Sequence, residues 1–460
     1  MFVGRKKELE VLYEELNKNK SSVLVYGKRK VGKTTLINEA AKKYKDKVFV
    51  YYECIKDTEE KNIESIITLL KELKILDGFT SLENKTFLNL FAYLKSLNKK
   101  MIIVIDEYPY LKEFTPSKTV DSIFQNIIDN YLDNINLIVS GSHIGMMKDL
   151  LEEKNALFGR FSKVLFLNEL TYLECSEFYQ NLSNYDKVAF YSVFGGSPFV
   201  NEQINANMNL KENIINLLLN KKSSVYIYAS SLLISDLSNE IQANRLFSAL
   251  RNGKKSYSEL EELFDKNKSG LLSKHLKPLL DMELIKKVAP INKLNDFKKY
   301  KYEINDNLLR FYYTYILPCA YLLNYKDESL IYEENINPSL NTFISFRFED
   351  ICKSFIWNHI NKNKIKNVVN VGRYYYNDPI TRTNGEFDLV ILYKSGAVHI
   401  LDAKYYKDKI KQSIVDEELE QINKIKELKV DKVGFISVNG FEDNIQNIDY
   451  RFDGDDIYNI

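Results

Sequence analysis

The chain has few cysteines, no excess of charge of either sign and no long unbroken apolar run. Its four cysteines stand at 54, 175, 319 and 352 without a CxxC spacing. That argues against a structural zinc pattern and a disulfide framework, and it suits a reducing compartment. Lysine plus arginine number 64 against 63 acids, so a nucleic-acid surface must be a local patch and not a property of the whole chain. The opening, MFVGRKKELEVL, lacks the apolar core of a secretory signal. The greasiest stretch, LLRFYYTYILPCAYLL, is short for a membrane span and carries Arg310 and Pro318. A buried helix pair is expected there, with no membrane partner and a cytoplasmic location. Internal repeats, low-complexity segments and long linkers are also missing.

What is present is enough for several cores: 460 residues, 45% of them apolar, predict two to four domains. The strongest local signal is VYGKRKVGKTTLI. Gly27, Gly32, Lys33 and Thr34 complete GxxxxGK[ST], with an apolar strand (SSVLVY) before it and helical spacing after it. The loop Gly27, Lys28, Arg29, Lys30, Val31, Gly32, Lys33, Thr34, Thr35 is expected to cradle a nucleotide's phosphates. Lys33 supplies a mobile charge, and the Thr34 hydroxyl offers itself to Mg²⁺.

A second buried strand, MIIVIDEYPYL, delivers Asp106 and Glu107 at its C-terminal end, where ligands sit in open α/β sheets. Asp106 is expected to hold the Mg²⁺, and Glu107 to orient or deprotonate the attacking water. A third buried strand, INLIVSGSH, ends in Ser140, Gly141 and Ser142. Either a hydroxyl here senses the γ-phosphate, with Ser140 as the candidate, or these residues simply end the strand. Arg160 in ALFGRFSK either reaches the γ-phosphate of a second copy, implying a homo-oligomer, or is an ordinary surface arginine.

Taken together these residues resemble a known group. FVGRKKELEVL (Phe2, Gly4, Arg5, Glu8, Leu9) is similar to the opening of AAA+-related and STAND-type ATPases, where it covers the adenine. VFGGSPFV, with Gly195, Gly196 and Pro198, resembles the glycine–proline turn of their lid. The order of all these motifs over residues 1–235 resembles the prokaryotic family called archaeal ATPase. The resemblance implies ATP as the nucleotide, a parallel sheet of the ASCE type and conformational switching on hydrolysis.

From 241 the pattern changes to NRLFSALRNGKKSYSELEELF, a helix, a turn and a second helix expected to open at Ser258. KSGLLSKHLKPLLDMELIKKVAP then gives a third helix and a strand. This is a winged helix-turn-helix pattern. The third helix's polar face carries Ser269, Ser273, Lys274 and Lys277, adequate for phosphates but poor in base-reading side chains. A structural use, as a protein contact or a nucleotide-sensing lid, is favoured over sequence-specific DNA reading.

The last stretch, NGEFDLVILYKSGAVHILDAKYYK, has two apolar runs joined by Lys394-Ser395-Gly396, a three-residue hairpin loop with glycine in the left-handed place. That loop sets Asp388 opposite Asp402, with Lys404 on the same face. Facing carboxylates destabilise a sheet, and a divalent cation held by Asp388 and Asp402 would resolve the conflict. Glu349, on the helix FRFEDICKSFIW, shares a face with Cys352 and Ile356 and is expected to be a third acid. Gln421 either assists or belongs to polar helix surface. An acidic helix followed by D…(D/E)xK resembles the PD-(D/E)xK nuclease fold, which the archaeal ATPase family usually carries as a C-terminal domain of unknown function. GFISVNGFEDN is similar to its closing strand. The chain departs from the nuclease pattern in having Asp402 where Glu is commoner and no PD before Asp388. Salt-bridge use of Asp402 and Lys404 stays open beside catalysis.

The expected fold is α/β: a P-loop core over 1–167, a helical lid over 168–235, a winged helix over 236–330 and a restriction-nuclease-like domain over 331–460. The joint is placed at 326–342. The expected partners are ATP and DNA or RNA. A signalling ATPase with an inactive C-terminal module and a winged-helix regulator are the alternatives.

Overall fold

The computed structural model describes residues 2–76, 85–114, 117–231, 240–264, 270–379, 382–425 and 428–459. The chain divides into two compact units, Met1–Leu170 with Ser197–Phe199, and Thr171–Gly196 with Val200–Ile460.

The first unit is built on five parallel strands: β1 (Ser21–Tyr26), β2 (Val48–Glu53), β3 (Met101–Asp106), β4 (Ile135–Gly141) and β5 (Lys163–Phe166), in the order β2-β3-β4-β1-β5. β1, β3 and β4 are buried along their whole length. Their near-continuous apolar runs fit a parallel sheet covered on both faces. Leu12 and Leu16 of the Lys6–Leu16 helix and Leu36, Ile37 and Ala40 of the Lys33–Ala41 helix pack against Val23, Val25 and Val104. Each such side chain contributes about 1.5–3 kcal/mol by leaving water. The sheet's C-terminal edge therefore carries residues 27–33, 106–107 and 142 together.

The second unit holds two sheets. The smaller joins β6 (Lys255–Ser256), β7 (Ile285–Val288) and β8 (Lys301–Ile304) in the antiparallel order β6-β8-β7. Before β7 lie the helices Glu240–Leu250, Tyr257–Glu261 and Leu271–Asp281. The middle helix opens at Ser256 and not at Ser258. Ser256 and Glu259 form a reciprocal capping box, so the hydroxyl two residues upstream takes the cap. Ser269 lies outside the described residues.

The aromatic segment departs from a helix pair. It is one broken helix, Asn307–Phe311 followed by a π-helical turn over Tyr312–Ile316 and then Leu317–Cys319. Pro318 offers no N–H, and its ring crowds the carbonyl four residues earlier, which the wider turn accommodates. The joint expected at 326–342 is likewise helical, running through Glu328–Ile331, Tyr332–Ile336 and Asn337–Asn361.

The larger sheet has the order β13-β12-β11-β10-β9, from β9 (Val368–Asp378), β10 (Thr383–Tyr393), β11 (Val398–Lys404), β12 (Lys432–Ser437) and β13 (Tyr450–Phe452). β9, β10 and β11 are antiparallel, and β11, β12 and β13 are parallel. The Gln412–Lys424 helix makes the crossover from β11 to β12. Phe348, Ile351, Cys352 and Phe355 of the Asn337–Asn361 helix are buried. All four cysteines are buried free thiols. Among the described residues no helix is long and apolar enough to cross a membrane.

Candidate functional site

At the phosphate loop, Gly27 is fixed by close approach: a Cβ there would lie 2.4 Å from the Leu167 carbonyl oxygen. Lys33 is buried and donates to the carbonyls of Gly27 (3.0 Å) and Lys28 (3.1 Å). Arg29 donates to Tyr110 Oη at 3.0 Å, and Lys28 pairs with Glu169 at 3.5 Å. Arg5 clasps the loop from behind through Val31 O at 3.0 Å and also donates to Asn168 O. Phe2 packs on the apolar cluster beneath the loop, and Gly4 (φ 65°) and Arg5 (φ 60°) turn the chain between them. From the other side Ser197 donates to Lys30 O at 3.2 Å, Pro198 lies against Gly32 and Lys30 stands 4.7 Å over the Phe199 ring.

Thr34 and Asp106 meet through a residue the motifs did not name. The Tyr51 hydroxyl donates to Asp106 Oδ2 and its oxygen lies 3.1 Å from Thr34 Oγ1. Burial, then the Asp106 charge, pushes the Tyr51 phenol up, so it stays protonated. Glu107 sits in the left-handed region, φ 48°, a sparsely populated conformation for a non-glycine residue. Its carboxylate accepts from Ser142 N (3.1 Å) and Ser142 Oγ (2.9 Å). Ser140, the candidate, is instead fully buried in β4, and its hydroxyl has no hydrogen-bond partner among the described residues. Ser142, beyond the strand, is the one that reaches the acid. Arg160 donates to Phe158 O at 3.0 Å and lies 3.6 Å from Asp129.

In the second unit the β10–β11 register runs Leu392↔Val398 to Leu389↔Leu401, with Gly396 at φ 85° in the loop. The ladder ends one step short of Asp388 and Asp402, and the β10–β9 register shifts between Phe387 and Val390. The paired residues keep the expected register as far as Leu389 and Leu401, and the irregularity lies on the β9 side of β10. Asp388 lies 3.5 Å from Arg373, which also holds Glu349 at 2.6 Å. Asp402 lies 2.7 Å from Lys404, which also holds Glu418 at 2.6 Å. The three acids still share one field. Burial, then Asp388 and Asp350, raises the Glu349 carboxyl, with the Arg347 charge pulling against the rise and Asp402 adding to it. Burial pushes the Asp402 carboxyl up to about 6 against Lys404, with Glu418 and Asp388 adding to the rise. Burial would lower the Lys404 ammonium, but the Asp402 and Glu418 carboxylates outweigh it and raise it.

Residues 2–203 match the family described as an ATPase domain predominantly from Archaea. That stretch is similar to an archaeal-type ATPase domain. Residues 312–422 match a family of archaeal and bacterial proteins of unknown function. An uncharacterised protein of Methanocaldococcus jannaschii is 27% identical over 399 residues, covering 85% of this chain and 84% of its own. An uncharacterised ATP-binding protein of the same organism is 52% identical over 40 residues, 8% of this chain and 68% of that one. Among solved structures, a Walker-type ATPase of Pyrococcus abyssi has a TM-score of 0.51 at 16% identity, covering 68% of this chain and 96% of that one, a likeness of fold.

By that family match the stretch over residues 2–203 is read as an ATPase domain. For Mg²⁺ its donor set fits: Thr34 Oγ1 and Asp106 Oδ2 are hard oxygens that converge on one point, the Tyr51 hydroxyl. The hairpin does not fit in the same way. Among the described residues no group of three or more His, Cys, Asp or Glu side chains is gathered to hold a metal ion, and Asp388, Asp402 and Glu349 are each met by a cation of the chain. Gln421 is exposed, whereas Glu418 contacts Lys404. Tyr51, Arg373 and Glu418 carry no motif. Glu418 alone had a local signal, one helical turn before Gln421 on the same helix.

Proposed function

We propose that the chain uses ATP and Mg²⁺ to control the holding of a nucleic-acid strand by its second unit. The observation that carries the nucleic-acid half is a cavity of about 380 Å³ in which Lys286, Lys353 and Arg373 stand with Glu349 and Asp388. Cations beside acids suit a phosphate polyanion brought against polar groups that can position it. In this reading the helices before β7 and the β7–β8 hairpin are a winged helix, and the β10–β11 hairpin belongs to a nuclease-like fold.

At the ATPase domain Lys33 exchanges the Gly27 and Lys28 carbonyls for the phosphates. Mg²⁺, when bound, would be held by Thr34 and Asp106 and would screen phosphate charge. Glu107 orients the water and takes its proton, and Ser142 fixes the direction of that carboxylate. Ser197–Phe199, resting on the loop and continuous with the second unit, would pass the nucleotide's state along the chain.

The test is nucleic-acid binding by the full chain of the Glu107→Gln variant, with ATP and without nucleotide. Affinities differing by at least about fivefold support the coupling; equal affinities contradict it. A second reading, cleavage, is favoured by the shared field of Glu349, Asp388 and Asp402 beside Lys404. It predicts nicking of plasmid DNA that Asp388→Asn abolishes. Nicking that survives that substitution would remove it.

A further inference from the structure

The β7–β8 hairpin carries features that neither the nucleotide site nor the carboxylates use. Its connecting segment, INKLNDFKKYK, contains Phe297, whose ring is 79% exposed and stacks on Tyr300 with centroids 6.0 Å apart and planes at 22°. Lys287 lies 4.1 Å over Tyr300 and 5.9 Å over Phe297, and Lys299 stands 4.1 Å over Tyr375. Lys287, Lys299 and Lys301 all line the cavity that reaches Glu349 and Asp388. The neighbouring acids are already in ion pairs: Glu303 with Lys286 and Arg310, Asp350 with Lys286 and Arg347.

The segment is also fixed to the larger sheet. Ile291 N donates to Arg373 O at 2.7 Å, and Asn292 both donates to Tyr375 O (2.7 Å) and accepts from Tyr375 N (3.1 Å). Gly372 leaves room for this, since a Cβ there would meet Ile291 Cγ2 at 3.0 Å. Platform and acids therefore share one frame.

We propose that this hairpin, and not the Leu271–Asp281 helix, is the nucleic-acid contact, and that it takes a single strand. An exposed ring flanked by lysines offers stacking to unpaired bases and charge to their phosphates, a pairing typical of single-strand grooves. A duplex keeps its base faces stacked inside and gains nothing from Phe297. A cavity of about 380 Å³ lies within the ~300–1,000 Å³ of sites for single small ligands, a scale that suits one nucleotide unit at a time. The helix's own polar face is less free, because Ser273 Oγ is bonded to Tyr257 Oη at 2.9 Å.

This rests on the nucleic-acid reading above, and the experiment separates the two. Fluorescence anisotropy of the full chain with labelled single-stranded oligo-dT is compared for wild type, Phe297→Ala, the double variant Lys287→Glu with Lys299→Glu, and Lys274→Ala with Lys277→Ala. Phe297→Ala is expected to weaken binding about tenfold, and the charge-reversed pair to weaken it further and flatten its salt dependence. The helix pair is expected to leave affinity unchanged. Because Phe297 is exposed, its variant should melt with the wild type. Full-strength binding by the hairpin variants, or tighter binding of duplex, would each overturn the proposal. Wild type binding no strand at all would remove the nucleic-acid reading and this inference with it.

Discussion

At the phosphate loop the buried Lys33 ammonium rests on neutral carbonyls, and Asp106 and Glu107 are met by hydroxyls. At the β10–β11 hairpin Glu349, Asp388 and Asp402 are met by the full cations Arg373 and Lys404. Hydrogen bonds between an ion and a neutral group contribute about 1.5–3 kcal/mol, and a ligand of opposite charge can replace the neutral partner. These ion pairs are only partly buried, and each joins two full charges, so a newcomer must replace the lost charge. The front centre is thus set to accept its ligand directly. The rear one requires a polyanion able to take over Arg373 before its acids are released.

The largest effect that can break this contrast is at Lys33. Lys33→Ala should lower ATP turnover on the order of 10²–10³-fold, read as phosphate release, without unfolding the chain. Glu107→Gln comes next, with turnover down about 10²-fold while ATP binding persists, because the acid handles the water and not the phosphates. Tyr51→Phe sharpens the comparison. Its hydroxyl competes for the oxygens of Thr34 and Asp106, so the Mg²⁺ concentration for half-maximal turnover should fall about fivefold, the worth of one hydrogen bond.

The smallest effect lies at the rear. The Asp402 carboxyl is pushed from 3.8 up to about 6. A carboxyl raised in the fold contributes its stability fully below its unfolded value and loses it as pH climbs to the folded value. Asp402→Asn, which imitates the protonated acid, should raise the melting transition by about 2–4 °C at pH 7 and leave it nearly unchanged at pH 4. A lower melting point at pH 7 would mean that the Lys404 ion pair outweighs burial.

The sequence carried the parts of this arrangement that depend on local order. The loop, the acidic strand and the glycine-set hairpin register were legible because each is fixed within a dozen residues. The cap was misplaced by two residues, at Ser258 and not Ser256, although Ser256 and Glu259 have capping-box spacing. Tyr51 was not legible, because its meeting with Asp106 depends on β2 lying beside β3, a pairing between residues 55 apart. Arg373 reaches Glu349 across 24 residues from a different element. Ser142 and not Ser140 meets Glu107 because the strand ends at Gly141, so the last hydroxyl within the strand and the first beyond it differ by two residues.

Steady-state ATP hydrolysis by the intact chain, titrated with single-stranded oligonucleotide, tests the coupling of the two centres most directly. The account predicts a rate that changes at least about fivefold at saturation, with Phe297→Ala shifting the half-saturating concentration upward. A rate indifferent to the strand, measured where anisotropy shows the strand bound, would contradict it.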